Sequence, residues 1–510
     1  MTKKPIESVS YNDFPKEPVP LENLSVKFMK QSVFVPLALE NNTLKIAIAD
    51  PHDSYTIDAL KLSYSFDVEV FQASKEEIFD AFERLYGSGS QSIETIIEEA
   101  HRDVHELNIG EEEGAENLKD LASEAPIIRL VNRLIVNAVE IKASDIHFEP
   151  FETFFRIRYR IDGVLHEIEK PPVRLQSAII SRVKIMAKLD IAERRLPQDG
   201  NIKLKISDRE IDFRVSTIPT LYGESLVMRV LDRESLAFDF QELGFPEDIY
   251  SRYMDLVKQP YGMILVTGPT GSGKTSTLYT TLAVINSTEQ KVITLEDPVE
   301  YQLPGVNQIQ VKPKIGLTFA NGLRSIVRQD PDIILVGEIR DSETAEIAIQ
   351  SALTGHLLFS TLHTNDSAGA IARLLDMGVE HFLLSSTLLG VLAQRLVRVI
   401  CPHCKTVAHP EQRLLDLVRL SPEELSETVF YEGKGCEACH YTGFKGRKAI
   451  FEYLAVDAAI RREIVNKSSA DEIKRVAVNS GLRTLRQDGW EKVKAGMTTI
   501  SEVLRVTLEG

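Results

Sequence analysis

The sequence predicts an α/β protein centred on a parallel sheet. Three observations carry that prediction. Between 260 and 400, short apolar runs at 263–267, 292–295, 333–336 and 357–362 alternate with helical stretches, the pattern of a parallel sheet covered on both faces. Residues 268–275 read Gly-Pro-Thr-Gly-Ser-Gly-Lys-Thr, a complete P-loop directly after the first run. Carboxylates stand at the ends of two further runs, at Glu296 and Glu338, and ligands of open α/β sheets bind at that carboxyl edge.

Bulk properties narrow the classes. The chain has 510 residues, 43% of them hydrophobic, enough for a substantial core and about three or four domains. Acidic residues outnumber basic ones, 75 to 59, for a formal charge of −16. Such a balance argues against non-specific nucleic-acid binding, which neutralises phosphates with basic side chains, while leaving room for a local basic groove. The most apolar stretches, such as Ile333-Ile334-Leu335-Val336, are strand-length, far short of the roughly 20 residues of a membrane-spanning helix. Lys3 and Lys4 are followed by Pro5 and acidic residues, not by the apolar core of a signal peptide. The expectation is a cytoplasmic protein that meets a membrane only through partners.

The elements follow in order. Residues 1–20 carry Pro5, Pro15, Pro18 and Pro20 and read as an extended lead. Over 21–86 a small α/β module is expected, with strands at Val33–Leu37 and Leu44–Ile48 and a closing helix from Glu76 to Tyr86. Residues 87–124, with Ser88-Gly89-Ser90, Glu98-Glu99 and Glu111-Glu112-Glu113, have the acid-rich, aromatic-poor composition of a linker. Order resumes at Ala125: Ile127, Ile128, Val131, Leu134, Ile135 and Ala138 follow helical spacing. In Phe155–Ile161, Arg156, Arg158 and Arg160 share one face of a strand and apolar residues the other. Asp162-Gly163 then turns the chain into Val164-Leu165-His166. This second module ends near 240. The nucleotide-binding sheet spans 241–400, a cysteine loop 401–440, and a remainder expected to be mainly helical 441–510.

The P-loop supplies the chemistry of a phosphate site. Gly268, Gly271 and Gly273 let the backbone approach a phosphate, while Pro269, Thr270 and Ser272 complete the loop. Lys274 can reach the β- and γ-phosphates and the Thr275 hydroxyl can join a Mg²⁺ shell. The helix that follows adds a favourable dipole. Glu338 is placed to act on Mg²⁺ or on an attacking water. Glu296, at the end of Thr294-Leu295-Glu296-Asp297-Pro298-Val299-Glu300, can polarise water, with Asp297 or Glu300 holding metal or a neighbour. His363, at the exit of the run 357–362, can hydrogen-bond a γ-phosphate; the sequence leaves this reading and that of a satisfied structural histidine equally open. Arg324 and Arg328 lie four apart on one helix face, and Arg195, Arg214 and Arg229 lie in or beside strand-like runs. Arginine forks suit phosphate oxygens, but spacing alone singles out none of them.

All four cysteines fall in two Cys-x-x-Cys pairs, Cys401 with Cys404 and Cys436 with Cys439. In a cytosolic protein this argues for a structural Zn²⁺ tetrathiolate and against disulfides. The 31 residues between the pairs exceed the commonest ribbon spacing.

Together these motifs resemble one family, the secretion ATPases of the type II secretion and type IV pilus class. The P-loop, the acidic box Ile-Thr-Leu-Glu-Asp-Pro-Val-Glu, the run Leu323–Asp332, Gly337-Glu338-Ile339-Arg340-Asp341, the histidine box 354–365 and Ala143–Pro150 carry the likeness. Val391–Arg398, leading into the tetracysteine loop, is similar to the assembly-type members. The resemblance implies a RecA-like P-loop core, α/β N-terminal domains over 1–86 and 125–240, the second PAS-like, and a zinc-bound C-terminal subdomain. It implies a homohexameric ATPase using ATP, Mg²⁺ and Zn²⁺, whose N-terminal and C-terminal ATPase domains rotate around nucleotide. Glu338 would be the Walker B glutamate and Glu296 would act on water; Arg195, Arg214 and Arg229 would face phosphate, with Arg324 and Arg328 in interface or sensor roles. The first module would dock on the cytoplasmic domain of an inner-membrane protein, and turnover would push a polytopic platform protein that adds pseudopilin or pilin subunits. Ala-Gln-Arg-Leu-Val-Arg and the short N-terminus favour type II secretion over pilus assembly. The Arg-Leu-Gly-x-x-Leu motif with which some relatives bind a cyclic dinucleotide does not occur in the first module. A DNA-handling ATPase and a non-hydrolysing nucleotide switch are the rival classes, opposed by overall acidity and by the retained Lys274, Glu296 and Glu338.

Overall fold

The computed structural model describes residues 124–206, 209–232, 239–418 and 428–507 throughout, most of 32–81, and scattered positions elsewhere. Most of the lead over 1–20, of the expected helix Glu76–Tyr86 and of the acidic linker lies outside the described residues. Contacts divide the chain into two compact units, Met1–Asp232 and Arg233–Gly510.

The first unit holds two sheets. In the smaller, β1 (Phe34–Glu40) pairs antiparallel with β2 (Thr43–Ile48), helix α1 (Ser54–Tyr64) follows, and β3 (Asp67–Gln72) returns parallel to β2. Phe34, Val35, Leu44, Ile46, Ile48 and Leu60 form its core.

The larger sheet follows α2 (Ala125–Glu140). Its strands are β4 (Asp145–Pro150), β5 (Phe155–Ile161), β6 (Val164–Glu169), then, after α3 (Gln176–Met186), β7 (Gln198–Ile206), β8 (Arg209–Thr220) and β9 (Gly223–Asp232). They run antiparallel in the order β6-β5-β4-β9-β8-β7. Side chains alternate across the sheet. Ile146, Phe148, Ile157, Tyr159, Phe213, Val215, Leu226 and Met228 share one buried core with the α2 residues Ile127, Leu130, Val131 and Leu134. The Tyr159 hydroxyl donates to the Leu134 carbonyl at 2.6 Å. The intervening positions therefore collect on the opposite face, where register sets Arg160, Asp145, Arg229, Arg214 and Asn201 in one row across five strands.

After a single helical turn at Phe240–Leu243, the second unit continues with α4 (Glu247–Val257). There follow β10 (Gly262–Thr267), α5 (Lys274–Ile285), β11 (Val292–Glu296), β12 (Asn307–Gln310), α6 (Phe319–Ile326), β13 (Ile333–Val336), α7 (Ser342–Leu353), β14 (Leu357–Leu362), α8 (Ser367–Asp376), α9 (His381–Thr387) and β15 (Leu388–Ile400). Beyond them lie β16 (Lys405–Ala408), α10 (Gln412–Val418), β17 (Phe430–Gly433), β18 (Phe444–Ala455), α11 (Ala458–Val465), α12 (Ala470–Asn479), α13 (Leu485–Lys494) and α14 (Ile500–Thr507).

Seven strands form its sheet in the order β12-β11-β13-β14-β10-β15-β18. All neighbours are parallel except the last pair. The continuous apolar runs have a physical reason: Met263 and Leu265 join one core with Val336 and Leu358, while Ile264 and Val266 join another with Leu335 and Phe359. Helices cover both faces. The C-terminal remainder, expected to be mainly helical, carries the four helices α11–α14 and opens on one element not marked in the sequence reading: β18, a twelve-residue strand hydrogen-bonded along β15.

Candidate nucleotide and metal sites

The P-loop leaves β10 after the buried Thr267 and ends at Gly273, which caps α5 with φ of 87°. A side chain at Gly268 would meet the Gln394 carbonyl oxygen at 2.5 Å and the Ser272 Oγ at 2.6 Å, so the loop turns only with glycine there. Lys274 is nearly buried, and its Nζ donates to the carbonyls of Gly268 at 2.6 Å and Pro269 at 3.2 Å. Burial pushes its ammonium down to about 8, against the pull of the Glu338 carboxylate and aided by Arg395. Pro269, Thr270, Gly271 and Thr275 are exposed.

The acidic residues arrive from neighbouring strands. β11 ends at Glu296, whose buried carboxylate accepts hydrogen bonds from the Tyr279 hydroxyl, from Thr294 Oγ1 at 2.5 Å and from Gln308 Nε2 at 3.3 Å. Burial and this carboxylate push the Tyr279 phenol well up. Glu338 lies two residues beyond β13. Its carboxylate meets the Arg340 guanidinium at 2.5 Å and the exposed His363 Nε2 at 3.3 Å. His363 follows β14, between β13 and β10 in the sheet order. Lys274, Glu338 and His363 thus share one sheet edge. Asp297 is exposed and Glu300 half-buried just beyond β11.

Two polar residues of this edge carried no role in the sequence reading. Tyr279, on α5, is the partner that orients Glu296. Thr364 locks the histidine loop to the P-loop strand: its N–H donates to Thr267 Oγ1 at 3.0 Å and the two hydroxyls lie 2.7 Å apart. A hydroxyl residue closing an otherwise apolar strand is the only trace of this tie in the sequence.

The arginines divide. Arg214 and Arg229 face each other across β8 and β9 and line a cavity of about 420 Å³ with Asp145, Asp199 and Asn201. Arg229 Nε donates to Asp145 Oδ1 at 3.0 Å. Arg195 does not line that cavity; its side chain is 88% exposed and folds onto Glu193, with Nη2 to Oε2 at 2.8 Å. Arg324 and Arg328 are exposed on and just past α6: Arg324 pairs with Glu343 at 2.7 Å, and Arg328 donates to the Arg324 carbonyl at 2.7 Å.

The four cysteines converge, with sulfur atoms all within 4.8 Å of one another. The separations Cys401–Cys436, Cys404–Cys439 and Cys436–Cys439 are 3.9, 3.8 and 3.7 Å. Zinc–sulfur bonds of about 2.3 Å in a tetrahedron give edges of about 3.8 Å, so the set is compatible with zinc. Burial would raise the Cys439 thiol, but N–H donors from Cys436 and Gly443 outweigh it and bring it to about 7. Cys401 follows β15, and Cys436 and Cys439 follow the β16–β17 ribbon. Among the described residues this is the group of metal-ligating side chains that could hold an ion; His403 and His440 are not part of it.

Comparison with known proteins agrees with this architecture. The chain is 52% identical over 506 residues to the type II secretion system protein E of Xanthomonas campestris pv. campestris, covering 98% of this chain and 88% of that one. It is 44% identical over 502 residues to the type IV pilus assembly ATPase PilB of Myxococcus xanthus, with the same coverage. The ATPase DotB of Legionella pneumophila, at 21% identity and a TM-score of 0.54 over 73% of this chain and 94% of that one, has a similar fold. Residues 5–92 match the MshEN domain. Residues 120–505 match the type II/IV secretion system protein family, and the chain belongs to that family.

Proposed function

We propose that this chain is an ATP hydrolase that powers pseudopilus assembly and protein export in a type II secretion system. The single observation that carries the hydrolytic part is the meeting of Lys274, Glu338 and His363 at the carboxyl edge of the parallel sheet. Lys274 holds the β- and γ-phosphates, and the exposed Thr275 is available to Mg²⁺. When bound, Mg²⁺ neutralises developing phosphate charge. Glu338 holds the metal shell or the water. Glu296, fixed by three donors, orients the attacking water, and His363 reports the γ-phosphate. Arg195, Arg214, Arg229, Arg324 and Arg328 supply cations toward phosphate or toward a neighbouring subunit of a homohexamer. Support for Arg214 and Arg229 comes from their shared cavity; Arg195, held by Glu193, must change partner to join them.

Cys401, Cys404, Cys436 and Cys439 hold a structural zinc, a role supported by their near-tetrahedral sulfur spacing. The protein works at the cytoplasmic side of the inner membrane through a docking protein and a polytopic platform protein. Among the described residues no helix is long and apolar enough to cross a membrane. Type II secretion is favoured over pilus assembly by the 52% identity to a type II secretion relative against 44% to a pilus-assembly one.

The test is capture from membranes with a Glu338→Gln variant, which holds nucleotide without turning it over, followed by mass spectrometry. Secretion-platform and pseudopilin proteins are the expected partners. Recovery of pilus-platform and pilin proteins instead would move the chain to pilus assembly with unchanged chemistry. Phosphate release undiminished in Glu338→Gln would remove Glu338 from the chemistry, and a parent chain that releases no phosphate from ATP would remove the hydrolytic reading.

A further inference from the structure

We infer that Gln394, with its neighbour Arg395, is a positioning pair that seats the P-loop and ties it to the loop carrying His363. This rests on the reading of 268–275 as the ATP site.

β15 runs beside β10, with Ala393 opposite Thr267. The next residue, Gln394, is wholly buried and meets the P-loop and its helix at three points. Its Oε1 accepts a hydrogen bond from Thr277 Oγ1 at 2.7 Å, in the first turn of α5. Its Nε2 stands 2.8 Å from where a Cβ on Gly273 would lie. Its carbonyl oxygen stands 2.5 Å from where a Cβ on Gly268 would lie. Two P-loop glycines are therefore glycines partly because Gln394 fills the space beside them.

The pairing at this contact is incomplete. Gln394 Nε2 is buried with no hydrogen-bond partner, and so is Ser272 Oγ, the same oxygen that crowds Gly268. Turning the amide over would exchange which of its two atoms is left alone, not remove the vacancy. Buried polar groups are ordinarily paired, and each orphan costs about 1–3 kcal/mol. Two orphans where β15 meets the phosphate loop, one on each side of the contact, point to a second loop arrangement in which they are satisfied. Lys274 shows how it is reached. Its Nζ now donates to the loop's own carbonyls of Gly268 and Pro269. Phosphate oxygens draw the ammonium away, those carbonyls lose their donor, and the loop settles onto the waiting Gln394 amide.

Arg395 carries the arrangement to the other side of the strand, because successive side chains point to opposite faces. Its guanidinium donates to the Asn365 carbonyl at 2.7 Å and to the Gln394 carbonyl at 3.1 Å. Asn365 lies two residues past His363. Adjacent residues of one strand thus hold the phosphate loop and the histidine loop in a common frame.

The test uses the full-length chain. Gln394→Met keeps the volume and removes the amide. Its ligand-free melting temperature is expected to stay within a few degrees of the parent's, because an orphaned group has gone. The nucleotide-induced rise in melting temperature should shrink by more than half, and kcat should fall at least tenfold. Gln394→Glu should regain activity relative to the parent as pH falls from 8 to 6, since a neutral carboxyl keeps one donor. A Gln394→Met chain that melts earlier without ligand yet keeps kcat and the nucleotide-induced rise within twofold of the parent would overturn the inference. Should that variant not fold, the pH ratio of Gln394→Glu decides, a flat ratio counting against it. If the parent itself hydrolyses no ATP, the proposed function fails, and the nucleotide-induced rise still decides the role of Gln394.

Discussion

Thr267 and Thr364, ninety-seven residues apart, meet hydroxyl to hydroxyl at 2.7 Å. Thr267 ends the strand that launches the P-loop, and Thr364 begins the chain after His363. The Thr364 N–H donates to Thr267 Oγ1 at 3.0 Å. Anything that moves the histidine loop therefore moves against the phosphate loop.

Thr267→Val removes the hydroxyl at nearly constant volume and strands the Thr364 N–H. An unsatisfied group of this kind costs about 1–3 kcal/mol. The larger effect is on geometry, because a displacement of about 1 Å in a catalytic group can cost on the order of a hundredfold in rate. The expected outcome is a fall in kcat of about tenfold or more, with ATP affinity changed by about threefold or less. Steady-state kinetics alongside equilibrium nucleotide binding checks it. A variant that binds poorly but turns over normally when saturated would contradict the tie.

Lys274 predicts a pH dependence of nucleotide binding. In the ligand-free fold burial brings its ammonium down to about 8, below the unfolded value of about 10.4. Phosphates favour the ammonium, so above pH 8 binding must take up a proton. Affinity for Mg–ATP should be flat below about pH 7 and weaken above 8, by up to about tenfold per unit. The ligand-free fold runs the other way. Because the folded value is depressed, the unfolded chain binds more protons between about 8 and 10.4, and this residue's destabilising contribution is relieved as pH rises through that window. Calorimetry in two buffers of different ionisation enthalpy reads the proton uptake directly. Affinity unchanged from pH 7 to 9.5 would dismiss the depressed lysine.

Much of this site was legible because its signals are local. The P-loop is one contiguous motif, and each predicted run of the parallel sheet is apolar on both faces because two cores flank it. The arginine face of β5 was equally readable, since alternation alone separates Arg156, Arg158 and Arg160 from Ile157 and Tyr159. β18 was not. Its sequence Phe-Lys-Gly-Arg-Lys-Ala-Ile-Phe-Glu-Tyr-Leu-Ala opens with charge, and what makes it a strand is pairing with β15, some fifty residues earlier. Gln394 and Thr364 escaped for the same reason. A polar side chain in or beside a strand acquires meaning only when the tertiary fold brings a partner from about a hundred residues away.

Removal of metal should be local in effect. Zinc held as proposed would tie four side chains from two separated segments together and so stabilise the folding of that segment. A strong chelator is expected to release about one zinc per chain and to loosen residues 401–440. The P-loop is held by β10, whose neighbours β14 and β15 remain paired, so nucleotide binding should persist. Hydrogen exchange before and after chelation, with metal analysis, distinguishes the two regions. Loss of ATP binding on mild chelation would contradict a purely structural role.

Glu296 gives the sharpest test of how an acid is held ready for chemistry. Its carboxylate is buried and takes donors from Tyr279, Thr294 and Gln308. Of these only Tyr279 reaches Oε2. Tyr279→Phe leaves that oxygen buried and unpaired, which costs about 1–3 kcal/mol, more when the acceptor is charged. For a unit of this size each kcal/mol lowers the melting temperature by roughly 2–4 °C. The carboxylate is then free to turn away from the sheet edge shared with Glu338. Tyr279→Phe should therefore melt several degrees earlier and hydrolyse ATP more slowly at saturation. Tyr261→Phe, at an exposed tyrosine just before β10, should do neither. Differential scanning calorimetry with phosphate-release kinetics on the two variants separates the outcomes. If Tyr279→Phe loses stability but keeps kcat, Glu296 is held for the fold alone and the water-orienting role passes to Glu338.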